Sequence, residues 1–189
     1  PAIRNCHFLN NLAKTGGAIY NSESCPLISN CVLTGNNASD NGGAIACYTS
    51  KGMINNCIIA NNTAVDEGGG VYLSGGSPSF INCTISTNNA LYGQGGAMYI
   101  YRSDATLSNS IIWGNTADEF NEEIYAEDSN LSVAHCNIRG GYPGINNIHF
   151  NPRFVNPGSS NYHLSSDSPC IDAGSDAVAT TFHTDIDGE

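Results

Sequence analysis

Basic residues are what this sequence has least of. Six lysines and arginines stand against 17 aspartates and glutamates in 189 residues, a formal net charge of −11. Nucleic acids and anionic membrane surfaces are bound through clustered cations, so this balance argues against both partners. Long apolar runs are also missing. None approaches the roughly 20 residues of a bilayer-spanning helix, so no membrane span is expected within the chain. The eight cysteines contain no Cys-x-x-Cys pair and no Cys/His cluster of zinc-site spacing. Histidines 7, 135, 149, 163 and 183 show neither triad-like nor metal-ligand spacing. No signal peptide is visible. Because the first residues, Pro1-Ala2-Ile3-Arg4-Asn5-Cys6, fall inside a repeat, the chain is expected to be a fragment or processed form of a longer one.

What is present is repetition. Gly16-Gly17-Ala18-Ile19-Tyr20 returns as Gly42-Gly43-Ala44-Ile45-Ala46, Gly68-Gly69-Gly70-Val71-Tyr72 and Gly95-Gly96-Ala97-Met98-Tyr99. A degenerate copy, Glu122-Glu123-Ile124-Tyr125, follows Asn121. The steps are 26, 26, 27 and 26 residues. A fixed period of this size means stacked units, each burying its apolar face on its neighbours.

A second phrase runs in phase with the first. Cys6, Cys31, Cys57, Cys83 and Cys136 share one repeat position, and Ser110 fills the remaining rung. Two residues after it stand Phe8, Leu33, Ile59, Ile85, Ile112 and Ile138; three before it stand Ile3, Ile28, Ile54, Phe80, Leu107 and Val133. Spacing by two is the period of a strand. A position restricted to Cys or Ser reads as a small buried side chain, so free core thiols are expected there. Cys25, Cys47 and Cys170 lie off the column, and a Cys25–Cys47 bridge stays open. Each unit offers three short strands and no helix, so the repeating element is a coil. Five to six coils stacked at about 4.8 Å give a rod roughly 25–30 Å long. Asn5, Asn30, Asn56, Asn82 and Asn109 mark one bend of the coil; Asn11, Asn36, Asn62, Asn88 and Asn115 mark another. Asparagine accepts unusual turn dihedrals and also bonds to its own kind along a stack.

The pairing of Gly-Gly-Ala-Ile with Phe8-x-x-Asn11, Leu33-x-x-Asn36 and Ile59-x-x-Asn62 resembles the repeat of chlamydial polymorphic outer-membrane proteins. It also resembles the wider set of right-handed parallel β-helix proteins of pectate-lyase-like fold. The resemblance covers residues 1–139. It implies an all-β, right-handed parallel β-helix with three short strands per coil. Residues 140–189 leave the repeat. Asn151-Pro152-Arg153-Phe154, Tyr162-His163-Leu164 and Ser168-Pro169-Cys170-Ile171-Asp172 resemble the tail that closes secreted β-helix proteins. An open coil end is an unpaired edge, so 140–189 is expected to cap a single domain spanning 1–189.

Candidate chemistry comes from columns. In the first strand Ile19, Ile45, Val71, Met98 and Ile124 read as inward. Strict alternation then turns Ala18, Ala44, Gly70, Ala97 and Glu123 outward on one side, and Tyr20, Ala46, Tyr72, Tyr99 and Tyr125 outward on the other. A line of tyrosines beside small residues suits sugar rings, and equally suits tyrosines that stack on each other. Tyr20, Tyr72, Tyr99, Tyr125, Glu123 and the nearby Arg102 are the candidate ligand face. Asp40, Asp66 and Glu119 share a position before the first strand, and Asp185-x-Asp187-Gly188 resembles the opening of a calcium loop. Asp40, Asp66, Asp185 and Asp187 are therefore candidate Ca²⁺ ligands, against a solvated acidic edge. Trp113 is expected to face outward, under the tail. A lyase needs a base and cations, and a hydrolase needs two facing carboxylates. Arg4, Lys14, Lys51, Arg102, Arg139 and Arg153 are scattered, so no catalytic residue is assigned and enzymatic activity stays undecided.

The expectation is a non-catalytic extracellular or cell-surface protein with an adhesive or structural role. A carbohydrate-binding or polysaccharide-degrading domain is the alternative, and a subunit assembling through its first coil is a third. Glycans, other cell-surface proteins or further copies of the chain are the corresponding partners.

Overall fold

The computed structural model describes residues 1–118 and 123–179. Short strands follow one another around a coil, and each pairs in parallel with its counterpart one coil away. Three main sheets result. Sheet I holds Ala2–Arg4, Leu27–Ser29, Met53–Asn55, Ser79–Ile81, Asp104–Ser108 and Asn130–Ala134. Sheet II holds His7–Leu9, Val32–Thr34, Ile58–Ala60, Thr84–Ser86, Ile111–Trp113 and Asn137–Ile138. Sheet IV holds Ile19–Ser22, Ile45–Ser50, Val71–Gly76, Met98–Tyr101 and Ile124–Glu127. Between II and IV runs a narrow ladder of two-residue strands, sheet III: Leu12–Ala13, Asn37–Ala38, Thr63–Ala64, Asn89–Ala90 and Thr116–Ala117. Its signal in the sequence is Asn-x-Ala, present in five successive coils from Asn11-Leu12-Ala13 to Asn115-Thr116-Ala117.

The register is in phase throughout, so equivalent residues stack. Ile28, Ile54 and Phe80 pair in sheet I, Leu33, Ile59 and Ile85 in sheet II, and Ile45, Val71 and Met98 in sheet IV. All nine are fully buried. Each such side chain removes apolar surface worth about 1.5–3 kcal/mol. The corner between sheets I and II is left-handed. Asn5, Asn30, Asn56, Asn82 and Asn109 have φ of 48–54° there, and His135 takes the same corner at 55°.

The cysteine column lies inside. Cys31, Cys57, Cys83 and Cys136 are buried, and each thiol lies 3.2–3.3 Å from the carbonyl two residues earlier. Ser110 makes the same bond to Ser108 at 2.8 Å, which explains the exchange of serine for cysteine. All eight cysteines are free. No Cys25–Cys47 bridge is formed: Cys25 is exposed, while Cys47 is buried and accepts a weak bond from Asn21. Burial pushes the Cys47 and Cys136 thiols up to about 11. Cys31 is raised further, first by its contact with the Cys57 thiol and then by burial. Reactivity follows the thiolate. A maleimide at neutral pH is therefore expected to label Cys25 within minutes and to leave Cys31, Cys47, Cys57, Cys83 and Cys136 unlabelled until denaturant is added. Mass spectrometry of tryptic peptides reads the result.

Residues 140–150 continue the stack for part of a coil. His135 N and Ile138 N donate to Ile145 O and Ile148 O, and Asn147 Oδ1 accepts from Cys136 N. The later segment is tied to both borders of sheet II. Tyr162 Oη bonds Asn61 and Thr87 at 3.2 and 2.8 Å, and Ser175 bonds Asn109. A hairpin of Phe154–Asn156 and Asn161–Leu164 carries Tyr162. Trp113, at the end of a sheet II strand, is half-buried.

Candidate functional site

Two axial arrays dominate the side of the coil formed by sheets III and IV. The inner one is made of asparagine. Asn36, Asn62, Asn88 and Asn115 are at most 1% exposed. From Asn11 onward each Nδ2 donates to the Oδ1 one coil ahead at 2.8–2.9 Å. From Asn36 onward the other amide hydrogen goes to the carbonyls of Phe8, Leu33, Ile59 and Ile85. Each Oδ1 also accepts the backbone N–H of the preceding asparagine in the ladder. The amide dipoles therefore point one way, in the cooperative manner of a hydrogen-bond chain.

A one-way ladder ends on a donor, and Glu123 receives it. Its carboxylate accepts from Gly114 N at 2.8 Å, Asn115 N at 3.1 Å and Asn115 Nδ2 at 2.6 Å. Glu123 is 6% exposed. The expectation that Glu123 lies on an outward ligand face is therefore corrected, and the reason is in the backbone. Ala18 N and Ile19 N both bond Ala44 O, Ala44 N and Ile45 N both bond Gly70 O, and Ala97 N and Met98 N both bond Glu123 O. Two donors on one acceptor form a bulge, which breaks strict alternation. Ala44 and Ala97 are consequently as buried as Ile45 and Met98.

The outer array is aromatic. Tyr20, Tyr48, Tyr72, Tyr99 and Tyr125 form a column with successive ring centroids 5.4–5.5 Å apart. Tyr72 and Tyr99 are 5° from parallel and Tyr99 and Tyr125 18°, so these three stack, whereas Tyr48 is tilted by 36° to Tyr20 and by 44° to Tyr72. Ala46 breaks the tyrosine column, and the ring of Tyr48, two residues on, fills its rung. Tyr48 is a residue that sequence reasoning missed; its only signal is a tyrosine at the next position on the same strand face. The Tyr99 hydroxyl donates to Glu127 Oε2 at 2.7 Å, a second missed residue. Tyr99 is 9% exposed and Tyr20 58%. Because the rings of Tyr72, Tyr99 and Tyr125 face one another along the coil axis, they occupy the faces that a sugar would use between them. Burial raises the Tyr48, Tyr72 and Tyr99 phenols above their ordinary range.

The regularity that makes these arrays also identifies the chain. The family model described as right handed beta helix region matches residues 54–156, more than half of the sequence. The chain is a right-handed β-helix protein. Residues 5–22 and 30–48 of this β-helix also match the model of the Chlamydia polymorphic membrane protein repeat. Comparison with curated proteins and with solved structures gives no match.

The other candidate residues are spread around the β-helix. Arg102 sits at a corner with φ of 47°, its guanidinium 4.8 Å from the Tyr101 ring centre and 3.7 Å from Asp128. It borders sheet IV without entering the tyrosine stack. Asp40 and Asp66 lie one coil apart, with Asp66 N bonded to Asp40 O at 3.0 Å. Lys14 Nζ lies 3.6 Å from the Asp40 carboxylate. Asp185 and Asp187 fall outside the described residues, as do Glu119 and Glu122. Among the described residues no group of three His, Cys, Asp or Glu side chains is placed to hold a metal ion, and no helix is long and apolar enough to cross a membrane.

Glu123 carries a pH signature. Burial raises its carboxyl above the ordinary 4.5, against three hydrogen bonds that lower it. A raised folded value means stability is fully present below the unfolded value and declines as pH rises through the folded one. The stability advantage of the wild type over Glu123→Gln is therefore expected to be largest at acid pH and to shrink toward neutrality. Urea titrations of both proteins across that range check it.

Proposed function

We propose that this β-helix is a non-catalytic module of an extracellular or cell-surface protein, with a structural or adhesive role. The observation that carries the reading is that its repeated polar and aromatic columns bind themselves. Asparagine amides are spent on asparagine amides, and tyrosine faces on tyrosine faces. Such columns build a stiff rod, and the side chains that vary between coils decorate it. The match to a membrane-protein repeat supports a surface location. The acidic charge supports a soluble, exposed rod.

The test uses the purified chain. Incubation with polygalacturonate and calcium is expected to give no unsaturated product, and a glycan array no signal that depends on Tyr72 and Tyr99. Calcium-dependent cleavage overturns the non-catalytic reading. Glycan binding lost in both Tyr72→Ala and Tyr99→Ala replaces it with carbohydrate recognition. Antibody labelling of intact source cells tests the location.

A further inference from the structure

The tyrosine stack has one feature that packing does not require. Five rings form an unbroken column at 5.4–5.5 Å, and Tyr99, inside it, is hydrogen-bonded to a carboxylate. We propose that the column is a one-electron relay that draws oxidising equivalents from its accessible rungs to Tyr99, where Glu127 takes the proton.

The chemistry follows from what phenols need. Oxidising a tyrosine to its neutral radical removes one electron and one proton together, so a base within hydrogen-bond distance of the hydroxyl makes that site easier to oxidise. Glu127 Oε2 lies 2.7 Å from Tyr99 Oη, within the range of direct proton transfer. Ring contact along the column supplies electronic coupling between rungs.

The steps balance. A one-electron oxidant of the peroxidase or photosensitiser class takes an electron from an accessible rung, which releases its proton to water. That rung then regains an electron from the column and a proton from water. Tyr99 is left as the neutral radical and Glu127 as the carboxylic acid. Over the whole sequence one electron passes to the oxidant and one proton moves from Tyr99 to Glu127. Reduction of the radical returns the proton. Tyr99, at 9% exposure, holds the radical away from solvent, whereas Tyr92, at 73% exposure, lies off the column and serves as an internal control.

Flash-generated tris(bipyridine)ruthenium(III) is the probe, and the lifetime of the tyrosyl radical by electron paramagnetic resonance is the readout. Exchanging a charge-assisted for a neutral hydrogen bond changes a barrier by roughly one factor of ten. The lifetime is therefore expected to fall about tenfold in Glu127→Gln and in Tyr99→Phe, and to be unchanged in Tyr92→Phe. Circular dichroism and melting verify that each variant is folded. Should Tyr99→Phe unfold, Glu127→Gln decides alone, because Glu127 is exposed and its exchange leaves the rings in place. Equal lifetimes in wild type and Glu127→Gln, or a loss confined to Tyr92→Phe, overturn the proposal.

Discussion

Replacing Asn88 by leucine is expected to cost about 4 kcal/mol of folding stability, more than any exposed substitution in the chain. Asn88 sits in the middle of the ladder and is fully buried. Its Oδ1 accepts both the backbone and side-chain N–H of Asn62, each at 2.9 Å, and its Nδ2 donates to Asn115 Oδ1 and Ile59 O. Leucine has a similar volume but no polar atom. Two donors of Asn62 and the carbonyl of Ile59 then lose partners at a site water does not reach. Each buried orphan costs about 1–3 kcal/mol. The Asn88→Asp exchange fares no better, because the second carboxylate oxygen faces the two acceptors that Nδ2 serves in the wild type. Set against a typical total of about 5–15 kcal/mol, the loss leaves the rod marginal. In urea the midpoint is expected to fall steeply at unchanged slope. The exposed Asn37, next in sequence to the ladder residue Asn36, is the contrast: Asn37→Ala is expected to shift the midpoint only slightly.

The second large effect belongs to the glycines packed between coils. At Gly42, with φ of +69°, a Cβ would also sit on the carbonyl oxygen of Ile45, so turn and closeness act together there. Gly43 is held by space. A Cβ there would sit on the carbonyl oxygen of Gly69 in the next coil and within 2.7 Å of the Thr63 backbone. Backbone cannot rotate away as a side chain can. Gly43→Ala is therefore expected to destabilise by about 3 kcal/mol or more. Gly140, with φ of +84° and nothing within 4 Å of an added Cβ, is the contrast: Gly140→Asn is expected to cost about 1 kcal/mol. A thermal melt of the two variants side by side reads the order. Equal losses would mean that the closeness of the coils does not keep Gly43.

These two positions also show why so much is legible in the sequence. A stacked coil repeats its constraints every 25 to 27 residues, so inward columns, corner asparagines and the Cys/Ser slot each appear several times over. Where the backbone obeys strand alternation, the face of a residue can be read directly. Where it does not, the reading fails. The shared acceptors at Ala44 O, Gly70 O and Glu123 O place a bulge just before sheet IV, and nothing in the residue types of Ala44 or Glu123 announces it. Glu123 then reads as a surface charge, although it terminates a buried ladder. Tyr48 is hidden for a related reason. Its ring leaves its own rung and enters the gap above Ala46, a movement set by side-chain space and not by register. The candidate ligand face is thus legible as a row of tyrosines. Ring orientation, which decides whether faces or edges meet solvent, is not. The tail offers no repeat to read, and its attachment at Asn61, Thr87 and Asn109 depends on contacts 66–101 residues apart.

The asparagine amides of Asn36, Asn62, Asn88 and Asn115 form one continuous buried chain along the rod. Hydrogen exchange of the side-chain amides, followed residue by residue in nuclear magnetic resonance spectra, tests it most directly. The Nδ2 hydrogens of Asn36, Asn62, Asn88 and Asn115 are expected to exchange only with global unfolding, while those of the exposed Asn37 exchange within the dead time. Fast exchange at Asn62 and Asn88 in the folded protein would contradict it.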